Sequence, residues 1–147
     1  MKMNVIDRSN YFRGSLLLIR KDHKISTPES EMMKRIGKAL GFEKRFCANA
    51  IHEALENKFL LDIPPNFSTK ELAMRFIQDG LMLAAADNFI HPLEEQWLLS
   101  IIERNGLDVH WYFNEKEKFL KKDLHNPHLE VESIVLMENG DCDAGTN

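Results

Sequence analysis

The sequence has little cysteine, no long hydrophobic run and no surplus of positive charge. Its two cysteines, Cys47 and Cys142, are too few for a disulfide framework and favour a reducing cytoplasm. The longest uninterrupted apolar stretches, 16–19 and 81–86, are much shorter than a membrane span, so we do not expect the chain to cross a membrane. The formal net charge of -4 argues against a nucleic-acid binder, which needs a basic surface.

The periodicity of the apolar residues predicts an all-α protein. The chain has 147 residues, of which 44% are hydrophobic and 29% charged, and this suits one domain with a substantial core. No strand pattern is convincing, whereas apolar residues recur at helical spacing in six segments. These segments are about 9–21, 27–40, 43–58, 69–86, 92–105 and 108–122.

Two of the predicted helices have unusual apolar surfaces. The third segment has the most regular helical period in the chain, formed by Phe46, Cys47, Ala50, Ile51, Ala54, Leu55 and Phe59. The fourth segment is apolar on nearly all sides over 81–86. A helix without a polar face belongs at the centre of a bundle, so we expect the fourth helix there.

A short linker divides the predicted domain into two units. Two adjacent prolines prevent a helix within 61–67, so this stretch is expected to connect the third and fourth helices. The helical domain, 1–124, then consists of unit one, about 9–60, and unit two, about 68–124. The fold expected is a single-domain bundle of six to seven helices built from two related helix-turn-helix units.

The C-terminal residues, 125–147, have no clear pattern and are predicted to be a partly disordered tail. Within them, 129–137 is compatible with a short strand, a docked helical turn or a loose segment. The last ten residues, 138–147, are polar and rich in small residues, so we expect them to be disordered.

The two units are related by an internal repeat of 65 positions without a gap. At this offset 22–42 and 87–107 share five identities over 21 positions. The identical pairs fall at turn, cap and core positions: Asp22 with Asp87, Ile25 with Ile90, Glu29 with Glu94, Ile36 with Ile101, and Gly41 with Gly106. Their placement indicates a duplicated helix-turn-helix unit.

Capping signals mark the helix starts that follow the turns. Ser26 and Glu29 have the spacing of a capping box, and a start at Thr27 followed by Pro28 is equally compatible with the sequence. Ser68 with the glutamate three residues later predicts a second capping box.

The residue after each repeated aspartate is expected to have a left-handed backbone. Glycine adopts this conformation most easily, but the chain has His23 and Asn88 at these positions. The spacing from each aspartate to the glutamate resembles the second half of a calcium-binding EF-hand loop. A standard EF-hand is excluded because the upstream ligand positions hold Leu18, Arg20, Leu83 and Ala85.

The doubled turn resembles that of the TerB-like (tellurite resistance protein B) family. The motif is Ala-Asp-(Gly)-x-Ile-x-Pro-x-Glu, in helical units that end in Gly-Leu or Gly-Phe. The resemblance covers about 11–124 and is strongest from Ala86 to Leu107. The chain departs from the family by lacking glycine after either aspartate and by having Arg20 and Lys21 before the first.

This resemblance implies an all-helical, acidic, cytoplasmic bacterial domain without established catalytic activity. Members are linked to tellurite resistance and to stress or phage-defence systems. Acidic residues of the paired turns are implicated in binding a divalent cation, for which calcium or magnesium is most plausible. Carried over by position, the metal ligands are Asp22, Glu29, Asp87 and Glu94. No organic cofactor and no catalytic residue is implied.

Three hypotheses for function follow. The leading one is a non-catalytic TerB-like stress-response module that binds a divalent cation at the paired turns and acts through protein partners. The alternative is a metal-free helical scaffold for protein–protein interaction, in which the acids only form turns and cap helices. The third is a metal-dependent, hydrolase-like enzyme. His91 could join Asp87 and Glu94 around a transition metal, but we expect it to be a helix cap or an exposed turn residue.

Overall fold

The computed structural model describes 3–56, 62–86, 89–120 and 128–146, with side chains described as far as 138. Within these ranges the protein is all-α, as predicted, and contains no strand. The seven helices described are α1 Val5–Ile19, α2 Thr27–Ala39, α3 Lys44–Glu53, α4 Lys70–Ala84, α5 Pro92–Arg104, α6 Val109–Leu120 and α7 Glu130–Thr146. Over the same ranges, none of these helices has both the length and the apolar character that a bilayer crossing requires.

The 65-residue repeat of the sequence is also a repeat of the helices. α1 and α4 begin at residues 5 and 70 and end at residues 19 and 84. α2 and α5 begin at residues 27 and 92 and end at residues 39 and 104, and α3 and α6 begin at residues 44 and 109. Each pair of starts therefore differs by 65 positions, so the two units have the same local architecture.

The glycines at the end of α2 and α5 terminate the two helices in the same way. Gly41 and Gly106 have φ angles of 86° and 66°, a left-handed conformation that glycine adopts without strain. The following residue, Phe42 or Leu107, donates its amide hydrogen to the carbonyl oxygen five residues earlier, at 3.0 and 2.9 Å. This is the hydrogen-bond pattern of a Schellman motif, and it satisfies carbonyl groups that the helix leaves without a partner.

The centre of the bundle is formed by α1 and α4, which pack against each other. α2 packs on α1 and α3, and α5 packs on α4 and α6, so each unit adds two helices around this pair. The last turns of α4 are fully buried, which confirms the central position that its apolar surface predicts. α7 lies against α2 and α4 and therefore contacts both units.

The start of α1 differs from the sequence prediction. α1 begins at Val5 rather than about Ser9, because Asn4 accepts the backbone N–H of Asp7 at 2.7 Å and caps an earlier turn.

The predicted capping box at Ser68 was wrong. The N-cap of α4 is Thr69, whose hydroxyl accepts the N–H of Leu72 at 3.1 Å. Ser68 instead donates its hydroxyl to the buried carboxylate of Asp7 at 2.6 Å, and its amide donates to the same carboxylate at 3.0 Å. The competing acceptor on α1 is a tertiary contact, so local spacing does not reveal it.

The structure differs from the predicted C-terminal tail. The backbone of 130–146 is helical, including the part of 138–147 that the sequence predicts to be disordered. Of the three alternatives for 129–137, the docked helix is the one observed. Leu129, Val131 and Ile134 are buried against the rest of the bundle.

Candidate functional site

The first of the two paired turns, 22–29, is held by its own aspartate. Asp22 is half-buried, and its Oδ1 accepts the backbone N–H of Lys24 at 3.1 Å. His23 has a φ of 64°, which confirms the left-handed backbone expected after the aspartate. Such a conformation is uncommon for a side chain other than glycine, and it is stabilised here by the turn that Asp22 closes.

The glutamate of the first turn is part of a capping box. Glu29 is only 2% exposed, and its Oε1 accepts the backbone N–H of Ser26 at 2.8 Å. In return, the amide of Glu29 donates to the hydroxyl of Ser26 at 3.2 Å. Ser26 is therefore the N-cap of α2, and Pro28 lies in its first turn. This resolves the two helix starts that the sequence leaves open.

The glutamate of the second turn, 87–94, has the equivalent geometry. Glu94 is also 2% exposed, and its Oε1 accepts the backbone N–H of His91 at 2.9 Å. His91 is the N-cap of α5, and its Nδ1 accepts the N–H of Leu93 at 3.1 Å. The prediction that His91 is a helix cap is thus confirmed. Asp87 and Asn88 lie outside the described residues.

The predicted metal ligands have structural partners wherever the structure describes them. Glu29 and Glu94 each direct one carboxylate oxygen to the N–H of an N-cap residue, at the positive end of a helix dipole. Within 3–56, 62–86, 89–120 and 128–138, no group of three or more histidine, cysteine, aspartate or glutamate side chains is placed to hold a metal ion. Because Asp87 is not among them, the four-residue metal site remains a prediction.

A buried carboxylate in α4 forms a polar cluster within the core that the sequence patterns did not predict. Asp79 is 1% exposed. Its Oδ2 accepts the hydroxyl of Tyr11 at 2.6 Å and the N–H of Val131 at 3.0 Å, and its Oδ1 accepts the N–H of Glu130 at 2.6 Å. Asp79 therefore caps the N-terminus of α7 from a neighbouring helix. An acid two residues before the apolar stretch 81–86, in a helix expected at the centre of the bundle, is the signal that could have indicated it.

Burial governs the ionisation of this cluster. Desolvation raises the pKa of Asp79 to about 7, although the hydrogen bonds from Tyr11 and from the two amides at the start of α7 oppose the rise. Desolvation, together with the adjacent Asp79 carboxylate, also raises the pKa of Tyr11 well above its ordinary value. Tyr11 therefore keeps its proton and donates a hydrogen bond to Asp79. Two of the three described hydrogen bonds of the Asp79 carboxylate attach α7 and the third joins α4 to α1, which indicates a structural role.

An apolar groove lies between α1 and α3. We call it the aromatic groove. Its floor is lined by Phe12, Leu16, Phe42, Phe46 and Ala50, and polar side chains lie at its edges. The three phenylalanine rings are 5.0 to 5.8 Å apart between centroids. The groove has a volume of about 440 Å³. Phe46 is 51% exposed, so the regular apolar face predicted for the third helix is only partly buried in the core.

The third helices of the two units bury side chains of different size. The positions equivalent to Cys47 and Ala54 in unit two hold Tyr112 and Phe119, which are buried where α6 packs on α4. Unit one has a smaller side chain at both positions, Cys47 and Ala54. Phe46 of α3 is half-exposed at the edge of the groove.

Comparison with known proteins finds no relative of this chain. No family model, no curated protein and no solved structure matches the chain.

Proposed function

We propose that this protein is a non-catalytic, TerB-like module of the bacterial cytoplasm that serves in a stress response of the tellurite-resistance type by binding protein partners. The observation that best supports partner binding is the aromatic groove. A half-exposed phenylalanine beside an open apolar depression is a costly arrangement in water, and it is typical of surfaces that bind another protein.

The dimensions of the aromatic groove suit a helical ligand. A volume of about 440 Å³ accommodates two or three apolar side chains from one face of an amphipathic helix. Full burial of a phenylalanine contributes roughly 1.5–3 kcal/mol, so covering the exposed half of Phe46 contributes about 1 kcal/mol. Arg13 and Glu53 at the edges offer one charge of each sign, which supplies polar contacts around the apolar centre.

The geometry of the acids supports a scaffold whose turns need no metal. Asp22, Glu29 and Glu94 each accept a backbone N–H in a turn or at a helix start. A cap of this kind contributes about 0.5–2 kcal/mol to stability. Folding alone therefore accounts for the glutamates at the equivalent positions 29 and 94.

A divalent-cation site at the paired turns is the second candidate. It is favoured by the equivalence of the two helix starts, which place Glu29 and Glu94 at the same position of α2 and α5. A metal-dependent hydrolase would require the same acids to converge, so one experiment tests both ideas. A cation that binds only the folded protein raises the midpoint of thermal unfolding.

We expect no such rise for calcium, magnesium, manganese or zinc relative to chelator. The control is the Asp22→Ala/Asp87→Ala protein, which lacks the aspartate of both turns. A rise in the unmodified protein that this variant loses would establish the metal site and refute the metal-free scaffold.

The aromatic groove can be tested by photo-crosslinking in bacterial cells. With p-benzoylphenylalanine in place of Phe46, we expect one dominant adduct, identified by mass spectrometry, that Ala50→Glu abolishes by placing a charge in the groove. The matched control has the same group in place of Phe113, which is 43% exposed on α6, away from the groove. Adducts of equal yield at both positions, or none at position 46, would contradict the proposal.

A further inference from the structure

α7 is attached to the bundle by three ion pairs from three different helices. Arginines of α1, α2 and α4 contact successive glutamates of α7: Arg8 with Glu138 at 3.0 Å, Arg35 with Glu132 at 2.5 Å, and Arg75 with Glu130 at 2.7 Å. The two units thus contribute jointly to one surface. Because each pair is partly exposed, each contributes only about 0–1 kcal/mol to attachment.

The same surface recognises the start of the helix and its apolar side. Asp79 accepts the N–H groups of Glu130 and Val131, which a helix N-terminus cannot satisfy internally. Leu129, Val131 and Ile134 are buried beside it. We call Arg8, Arg35, Arg75 and Asp79, with the apolar residues between them, the α7-binding surface.

The charges of the two sides are complementary. α7 contains five acidic residues and no lysine or arginine, so it contributes -5 to the chain's net charge of -4. The rest of the chain therefore carries +1. The helix that fits the α7-binding surface is acidic, with glutamates that face the arginines, and Asp79 fixes the direction in which it lies.

We propose that the α7-binding surface is a recognition site for an acidic amphipathic helix of a partner protein, and that α7 is its intramolecular occupant. The described contacts of α7 include the cap from Asp79, three weak ion pairs, a hydrogen bond from the Met3 amide to Glu138 and the buried apolar side chains. A partner helix with the same pattern of glutamates and apolar residues can replace it by making the same contacts. This surface is separate from the aromatic groove, so either proposal can fail alone.

The test uses the full chain and a fluorescent peptide with the sequence of 128–146. In the unmodified protein α7 competes with the peptide, so binding measured by anisotropy is weak. In the Glu130→Lys/Glu132→Lys protein the intramolecular helix is repelled by Arg75 and Arg35. We expect the peptide to bind this variant about tenfold more tightly.

Two controls separate specific recognition from general charge attraction. The Glu103→Lys/Glu117→Lys protein has the same net charge change at exposed positions of α5 and α6, and it should bind as weakly as the unmodified protein. A peptide with both Glu130→Lys and Glu132→Lys should not bind either variant. Equal affinity for the two variants, or for the two peptides, would overturn the proposal.

A charge exchange covers the case in which the double variant fails to fold. The Arg35→Glu protein should prefer a peptide with Glu132→Arg over the native peptide, because the ion pair is restored with reversed sign. If the Arg35→Glu protein shows no such preference, the α7-binding surface does not recognise the charge of the helix and the proposal is wrong. Concentration-dependent dimers of the unmodified protein that Arg35→Glu abolishes would instead identify the occupant as α7 of a second copy, which overturns the assignment to a partner protein.

Discussion

Replacing Asp79 with asparagine should change how the stability of the protein depends on pH. The carboxyl group has a pKa of about 7 in the folded protein, against an ordinary value of 3.8. Between these values the folded protein holds a proton that the unfolded chain has released. The free energy of unfolding therefore falls as pH rises through this window, by about 1.4 kcal/mol per pH unit for this one group. Above about pH 7 the loss is complete.

The size of this pH dependence follows from the burial of the Asp79 carboxyl group, which raises its pKa. From about pH 5 to about pH 8 the contribution of Asp79 should fall by roughly 2–3 kcal/mol. Asp79→Asn removes this dependence because the amide does not titrate. It also loses acceptor positions for Tyr11 and for the start of α7, which costs about 1–3 kcal/mol at every pH. The two effects are separable, since only the first changes with pH.

The assay is urea denaturation followed by circular dichroism at fixed ionic strength, at several pH values from about 5 to about 8. We expect Asp79→Asn to be clearly less stable than the unmodified protein at the acidic end and to approach it at the basic end. Glu117→Gln, at an exposed position of α6, is the control for the loss of one carboxylate. Unfolding free energies of the unmodified and Asp79→Asn proteins that change in parallel over this range would refute the reasoning.

Two further substitutions test the packing and the caps. Gly14→Ala should lower the urea midpoint by an amount equivalent to about 1–3 kcal/mol, because the added Cβ would lie 2.9 Å from Phe76 and 3.1 Å from Pro65; an unchanged midpoint would show that these side chains move aside at no cost. Ser26→Ala should cost about 1 kcal/mol by removing the N-cap of α2, equally with and without divalent cations. A cost seen only with cations present would point to the metal site instead.

The parts of the fold that depend on local chemistry could be predicted from the sequence. The starts of α2 and α5 follow from capping residues, and their ends from Gly41 and Gly106, because these signals act within a few residues of the chain. The 65-residue repeat could be predicted because the same local signals recur in both units. The central position of α4 follows from its apolar surface.

What the sequence could not show depends on contacts between distant residues. Ser68 is a good N-cap residue, but its hydroxyl instead donates a hydrogen bond to Asp7 on α1. α7 lacks a strong apolar pattern, and it is placed by arginines of three other helices and by the carboxylate of Asp79. The apolar period of α3 predicts burial for Phe46, yet burial also requires a neighbour large enough to cover it.

The buried carboxylate on α4 has a further consequence for the evolution of the repeat. Its counterpart 65 positions earlier is Gly14, against which Pro65 of the linker packs. Proline has no amide hydrogen, so the linker needs no acceptor there, whereas the first amides of α7 do. The two units therefore contact the segments that follow them in different ways, unit one through a glycine and unit two through a carboxyl group. Each unit is thus matched to the segment that follows it. If the linker and α7 were exchanged, the first amides of α7 would face Gly14 and the Asp79 carboxyl group would face a proline.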